Sequence, residues 1–384
     1  MGPDLTDQQR LDWLQLIRTP HVGPALFQDL INHFGSAATA LDALPQMAKR
    51  RGAAIVAFDR GEAAREIEAA DKLGAVFVAQ GEAAYPAALV HVSRPPPLLC
   101  ALINDPAIAK RPCVGMVGSR NASAGGLSLA RAMAKDLGEA GYAVASGLAR
   151  GIDAAAHMGS LKTGSIAFVA GGLSQPYPPE HGNLMQELAQ QGGAVYSEMP
   201  LGWRARAQDF PKRNRLVAGA SLGLVVVEAA RRSGSLITAR QAGDMGRLIM
   251  AVPGFPLDPR AEGPNSLLRD GATLVRHARD VMEELLPLKQ GEHYTSAQAN
   301  SQLNLLAEED GDPQFSSGAS DSPAGDDVDN VLSTALSHNP TTADVLIEAT
   351  GVPANAVRAW LLEHELAGQI ERSHGDRYGW SQRP

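Results

Sequence analysis

Cysteine is scarce: the chain of 384 residues contains two, Cys100 and Cys113. Two thiols cannot build a multi-bridge framework and supply too few thiolates for a structural zinc site, so the expected compartment is a reducing one. Long apolar runs are missing too. No stretch approaches the roughly 20 residues that span a bilayer. The opening Met1-Gly2-Pro3-Asp4-Leu5-Thr6-Asp7 lacks the basic region and apolar core of a secretory signal. Met1-Gly2 with Thr6 formally fits a myristoylation pattern, but no polybasic second anchor follows, and the match is read as chance. The expectation is a cytoplasmic protein without membrane attachment. Two nucleotide motifs are absent as well. No G-x-x-x-x-G-K-[ST] phosphate loop occurs, and Gly115-Met116-Val117-Gly118-Ser119-Arg120 is not the G-x-G-x-x-G dinucleotide fingerprint. Neither ATP nor NAD is expected, and no cofactor is assigned.

What is present is globular: 44% hydrophobic and 20% charged residues, with 39 Gly and 25 Pro supplying turns. The length suits two or three domains. The net charge of -8, from 34 basic and 42 acidic residues, is unevenly spread. Residues 291 to 330 hold nine carboxylates and no Lys or Arg. That segment is also rich in Ser, Gly, Ala and Asn and has no helical or strand period, so it reads as an acidic flexible linker. Residues 201 to 250 hold nine basic residues against Asp209, Glu228 and Asp244. Partners feel such local fields rather than the sum.

Residues 8 to about 90 read as helical, with His21-Val22-Gly23-Pro24 between two amphipathic helices. This is helix-hairpin-helix spacing, whose free N–H groups can hold a phosphate oxygen, and equally an ordinary Gly-Pro turn. From 111 onward six short apolar strands alternate with helices: 113–117, 142–145, 166–169, 194–196, 224–227 and 248–252. The runs do not alternate, as strands buried on both faces should not. The expected fold is α/β, a doubly wound, mostly parallel Rossmann-like sheet. After the linker, 343–349, Gly351 and a helix opening at Pro353 give helix-turn-helix spacing, and 366–380 reads as a ribbon. The result is a small winged-helix module. Its recognition helix carries Arg358 beside Glu363 and Glu365, so DNA gripping and protein docking both stay open. The boundaries are set at 1–85, 86–290, 291–330 and 331–384.

In open parallel sheets, ligands bind beyond the carboxyl ends of the strands. Those positions hold Gly118-Ser119-Arg120, Ser146-Gly147-Leu148-Ala149-Arg150-Gly151-Ile152-Asp153, Gly171-Gly172, Ser197-Glu198, Glu228-Ala229 and Ser233-Gly234-Ser235-Leu236-Ile237-Thr238. Small residues let a ligand approach the backbone, and helix N-termini with hydroxyls suit anions. Arg120 stands where a cation meets a phosphate; alternatively it pairs with Glu198 or Glu228. Trp203-Arg204-Ala205-Arg206 and Phe210-Pro211-Lys212-Arg213-Asn214-Arg215 place five cations beside two rings in a chain only 5% aromatic. That is the composition of a single-strand groove, where cations follow the backbone and rings stack on bases. Arg213 and Arg215 can instead be structural partners of Glu228, and Phe210 a core residue. Catalytic constellations are weak. Asp153 and His157 are spaced for an acid–base pair or for a helix-surface contact, and Cys113 lies in an apolar strand.

With those motifs in order, the chain resembles the DprA (Smf) family of bacterial DNA-processing proteins. The resemblance runs from about 85 to 280. It rests on the stretches around Arg120, Gly147 and Phe210, on Tyr177-Pro178-Pro179-Glu180, and on Val227-Glu228-Ala229, Ser233 to Ala239 and Ala251-Val252-Pro253-Gly254. It implies a SAM-like N-terminal domain and a sheet domain that binds single-stranded DNA and dimerises. It also implies protection of incoming DNA and its delivery to the recombinase RecA during natural transformation, with no reaction catalysed. The implied DNA-binding residues are Ser119, Arg120, Gly147, Arg150, Phe210, Lys212, Arg213, Asn214, Arg215, Gly234, Ser235 and Thr238. Ser174 and His181 depart from the family's usual Asp and Asn. The competing class is a nucleotide phosphoribohydrolase of a related Rossmann variant, with Glu228 or Glu198 as its carboxylate. A third class is an adaptor acting through the winged helix.

Overall fold

The structure, a computed structural model, describes residues 4–50, 56–286, 288, 325–336, 340–373 and 376–381. They form two compact units, one from residues 4–5, 64–286 and 288, and the other from residues 6–50, 56–63, 325–336, 340–373 and 376–381. The chain opens with helices α1 (Asp7–Arg18), α2 (Pro24–Phe34), α3 (Ala37–Arg50) and α4 (Arg60–Leu73). Thr6 and Gln9 close a reciprocal capping box on α1, satisfying two donors that the first turn leaves free. Pro24 opens α2 after Gly23, and Gly35 ends it in the left-handed region at φ 76°.

The larger unit is built on a nine-stranded sheet. Its strands are β1 (Val76–Ala79), β2 (Leu98–Ile103), β3 (Cys113–Val117), β4 (Ala143–Ser146), β5 (Ser165–Phe168), β6 (Ala194–Ser197), β7 (Gly223–Val226), β8 (Leu248–Ala251) and β9 (Thr273–Leu274). Their order is β1-β2-β6-β5-β4-β3-β7-β8-β9. From β6 to β9 all neighbours run parallel, while β2 is antiparallel to both β1 and β6. Every residue of β3 to β7 is buried, which explains their unbroken apolar runs.

Helices cover both faces. On one, α8 (Asp209–Ala220) and α9 (Gly234–Asp244) bury Leu216, Val217, Ala239 and Ala242 against Phe168, Tyr196 and Leu224. On the other, α5 (Ala124–Glu139), α6 (Ile152–Ser160) and α11 (residues 278–286) bury Met133, Leu137, Ile152 and Leu285 against Met116 and Val225. Two further helices, α7 (Gly182–Gln190) and α10 (Glu262–Arg269), complete the connections.

Six strands lie where the apolar runs predict them. The sheet has three more: β1 falls inside the stretch read as helical to about 90, and β2 and β9 were not anticipated. At two to six residues each, these three carry too little period to declare themselves.

In the second unit, α12 (Gly325–Ala335), β10 (Thr341–Thr342), α13 (Ala343–Thr350), α14 (Ala354–Leu366), β11 (Ile370–Ser373) and β12 (Arg377–Trp380) make a winged helix. Its antiparallel sheet has the order β10-β12-β11. Gly351 turns the chain at φ 66°, and Pro353 occupies the position just before the first turn of α14, without a side-chain cap. The acidic linker reading falls, up to residue 324, outside the described residues. α12 begins before residue 331; its Leu332, and Leu336 just after it, join the winged-helix core.

Candidate nucleic-acid interface

The order of the parallel strands reverses between β3 and β7. From β3 the chain proceeds to β4 on one side, while β7 pairs with β3 on the other. Beyond the carboxyl ends of these two strands lies a cavity of about 470 Å³, lined by Ser119, Arg120 and Asn121 after β3, and by Arg232, Ser233 and Gly234 after β7. Such a reversal leaves two loops diverging and a crevice between them. Glycine permits the close packing of its floor. A Cβ on Gly147 would stand 1.2 Å from Arg213 Nη1, and one on Gly151, at φ +76°, would stand 2.1 Å from the Ser119 carbonyl oxygen.

The Phe-Pro-Lys-Arg-Asn-Arg stretch, read from composition as a single-strand groove, forms the first turns of α8. Asp209 anchors the start of that helix, its carboxylate accepting from Trp203 Nε1 at 2.9 Å and from the Arg206 N–H at 3.0 Å. Helical spacing then sorts the residues that composition grouped. Phe210, Arg213, Asn214 and Val217 share the face that lines the cavity, as positions i, i+3, i+4 and i+7 must. Lys212 is exposed and makes no ion pair among the described residues. Arg215 points away, donating to the Arg94 carbonyl at 2.8 Å and pairing with Glu198. Of its sequence alternatives the structural one is realised, with Glu198 in place of Glu228.

Phe210 is the centre of an aromatic and cationic cluster. The Arg120 guanidinium lies 5.1 Å and that of Arg213 5.9 Å from its ring centroid, and Tyr177 meets it edge-on at 5.5 Å. Arg120 is exposed, so part of its charge faces the crevice. It pairs with neither carboxylate considered for it. Glu228 instead accepts from the Ser123 N–H at 2.8 Å and from the Ser123 hydroxyl. Arg213 is buried, 3.9 Å from Asp153. Burial pushes its guanidinium pKa down and the Asp153 carboxyl up, each partly offset by the other charge. The pair is thus a costly floor to the site rather than a surface contact.

The N-terminus of α9 forms the opposite wall, with Ser233 as its cap. The Ser235 hydroxyl donates to the Gly118 carbonyl at 2.7 Å, and the Thr238 hydroxyl to that of Gly234 at 3.4 Å. These hydroxyls, expected to face phosphates, tie α9 to the loop after β3 and to its own first turn. Asn214 Nδ2 approaches the Gly234 carbonyl at 3.5 Å. Arg150 is exposed and bonded to Glu180 at 2.5 Å, outside the cavity lining. The Asp153 and His157 pair does not form: His157 is fully buried and its Nδ1 meets the Ser165 hydroxyl at 2.7 Å. Burial, with Arg213 and His181 nearby, pushes the His157 pKa down to about 3. The Cys113 thiol is buried and pushed up to about 12. The two departures hold loops: Ser174 Oγ donates to the Leu201 carbonyl at 2.8 Å, and His181 Nδ1 lies 2.9 Å from the Leu148 carbonyl.

Tyr177, Asn121 and Arg232 were not among the expected site residues. Tyr177 lies in a motif singled out from the sequence, but nothing in its spacing from Phe210 announces their contact. Among the described residues no cluster of three or more His, Cys, Asp or Glu is placed to hold a metal ion, and no helix is long and apolar enough to cross a membrane.

Comparison with known proteins matches residues 76–286 to the family model described as DNA recombination-mediator protein A. Residues 7–69 match a DprA-like N-terminal HHH domain, and residues 317–376 a DprA winged helix domain. Protein Smf of Escherichia coli (strain K12) is 38% identical over 259 residues, 67% of this chain and 65% of that protein. Among solved structures, DNA processing protein A from Streptococcus pneumoniae is similar with a TM-score of 0.58 at 27% identity, covering 73% of this chain and 99% of that one. A Helicobacter pylori DNA processing protein A, described for its single-stranded DNA binding mode, gives a TM-score of 0.50 at 24% identity over 55% of this chain and 96% of that one.

Proposed function

The chain belongs to the DprA/Smf family of DNA recombination mediators, and on that premise we propose that its crevice between β3 and β7 holds single-stranded DNA without reading base sequence. The observation that carries the proposal is Phe210 on α8, with the exposed Arg120 guanidinium 5.1 Å from its ring and the exposed Lys212 two residues along. A ring offers a stacking surface to any base, while the cations track phosphates. Ser119, Gly234 and the start of α9 supply close backbone on the opposite side. The family resemblance extends the proposal: a non-catalytic protein, homodimeric through the sheet domain, that protects the incoming strand in natural transformation and delivers it to RecA in the cytoplasm.

The phosphoribohydrolase alternative needs a free carboxylate at this crevice. Glu228 is held by Ser123 and Glu198 by Arg215, which speaks against both candidates. A gel-shift titration with oligonucleotides of mixed sequence tests the proposal directly, with single strands retarded and retardation weakening as salt is raised. Failure of the full chain to retard single strands in dilute salt refutes it. Release of free adenine from AMP would instead support the hydrolase.

A further inference from the structure

The recognition helix of the winged helix, α14, has two buried faces. Val357, Trp360 and Leu361 belong to the winged helix's own core. Leu362 and Leu366 are 4% and 3% exposed and share one cluster with Leu26, Phe27 and Leu30 of α2 and Leu44 of α3, while Asn355 and Arg358 near the start of the helix stay exposed. A charged latch adjoins this apolar contact. Arg372 on β11, its side chain 9% exposed, pairs with Asp29 of α2 and lies 3.4 Å from Glu365 and 4.0 Å from Asp376. Its guanidinium also lies 4.8 Å from the Tyr378 ring centroid. Two surfaces far apart in the chain thus meet through buried leucines and an ion pair at the rim, whose Arg372 end is buried and whose Asp29 end is 37% exposed, an apolar core with a polar edge as in a protein interface.

We propose that the winged helix is a docking module whose occupant is this chain's own N-terminal helices. Arg372 with Asp29 is the latch, and α14 is thereby withdrawn from duplex DNA. The charge on the helix fits this role: Arg358 is accompanied by Glu363 and Glu365, a poor complement to a phosphate backbone. The proposal is independent of the single-strand site, since it involves no residue of that crevice.

The test uses the full chain with a site-specific protease sequence inserted between residues 300 and 310. After cleavage the fragment carrying the winged helix should co-elute with the remainder on size exclusion. Asp29→Arg and Leu362→Arg should each release it, weakening the association on the order of 100-fold. Because Leu362→Arg risks unfolding α14, Asp29→Asn serves as a second variant: it removes the charge at constant volume and leaves the Trp360 and Trp380 core intact. It should weaken association while the near-ultraviolet circular dichroism of those tryptophans is unchanged. Separation of the cleaved fragment from the remainder in the unsubstituted chain would overturn the proposal, as would continued attachment in all three variants. Retardation of duplex DNA by the intact chain that is lost on Arg358→Ala would overturn it too, by showing α14 in contact with a groove.

Discussion

Lys212 and Arg215 lie three residues apart in one basic stretch, and the structure predicts opposite outcomes for their removal. Lys212 is exposed without an ion pair among the described residues. Arg215 is engaged by the Arg94 carbonyl and Glu198, with side chains 21% and 16% exposed for Arg215 and Glu198. If Arg120, Lys212 and Arg232 each neutralise one phosphate, the logarithm of the single-strand association constant should fall with the logarithm of salt at a slope of about -2, from about 0.7 per phosphate. Raising salt from about 50 to about 200 mM then weakens binding about 20-fold. Lys212→Ala should make the slope shallower by about 0.7 and leave the melting temperature within the small range of surface substitutions. Arg215→Ala should leave the slope unchanged and cost about 2 kcal/mol of stability, the worth of a charged hydrogen bond in a partly buried setting. Fluorescence anisotropy of a labelled oligonucleotide over a salt series, with thermal melting of the same samples, measures both. A shallower slope for Arg215→Ala at unchanged melting temperature would refute the assignment of roles along α8.

Other outcomes follow from the same geometry. Phe210→Ala should weaken single-strand binding by about 1–3 kcal/mol, the worth of one stacked base, at nearly unchanged salt slope, read in the same anisotropy assay. Gly147→Ala places a methyl where the Arg213 guanidinium lies; parting Arg213 from Asp153 should cost about 3–5 kcal/mol, seen as a lowered melting temperature together with weaker DNA binding. His157 makes stability depend on acidity. Its pKa falls from 6.5 to about 3 in the fold, so the unfolded chain binds the extra proton between those values, and stability, complete above pH 6.5, declines as pH falls toward 3. The loss reaches at most about 5 kcal/mol. Denaturant melts of His157→Gln should show a flatter profile over that interval, and an unchanged profile would exclude His157 as its source.

The parallel sheet was legible because strands buried on both faces leave unbroken apolar runs, and the glycines, serines and Arg120 beyond their ends marked the crevice. The edge strands were not, since Thr273–Leu274 is two residues long and Val76–Ala79 follows the helical stretch at Gly74 after a single turn. Tyr177 was missed because its contact with Phe210 joins residues 33 positions apart, and no local period encodes that. The partner of Arg372 was hidden more deeply: Asp29 precedes it by 343 residues, beyond any pattern of spacing or composition.

Within the basic stretch, composition and geometry answer different questions. Five cations beside two rings announce a surface for polyanions but cannot say which cations face it. Once residues 209 to 220 are a helix, each position turns by about 100° from the last, and that rotation alone sends Phe210 and Arg213 into the crevice, Lys212 to solvent and Arg215 to Glu198. Burial then divides the cations again. Arg213, fully desolvated beside Asp153, positions the Phe210 ring and the floor at Gly147, whereas Arg120, exposed at the rim, keeps charge to offer a ligand. A phosphate approaching the site meets the second kind first, so affinity should reside mainly in Arg120 and Lys212, while Arg213 governs whether the ring beside them stands in place.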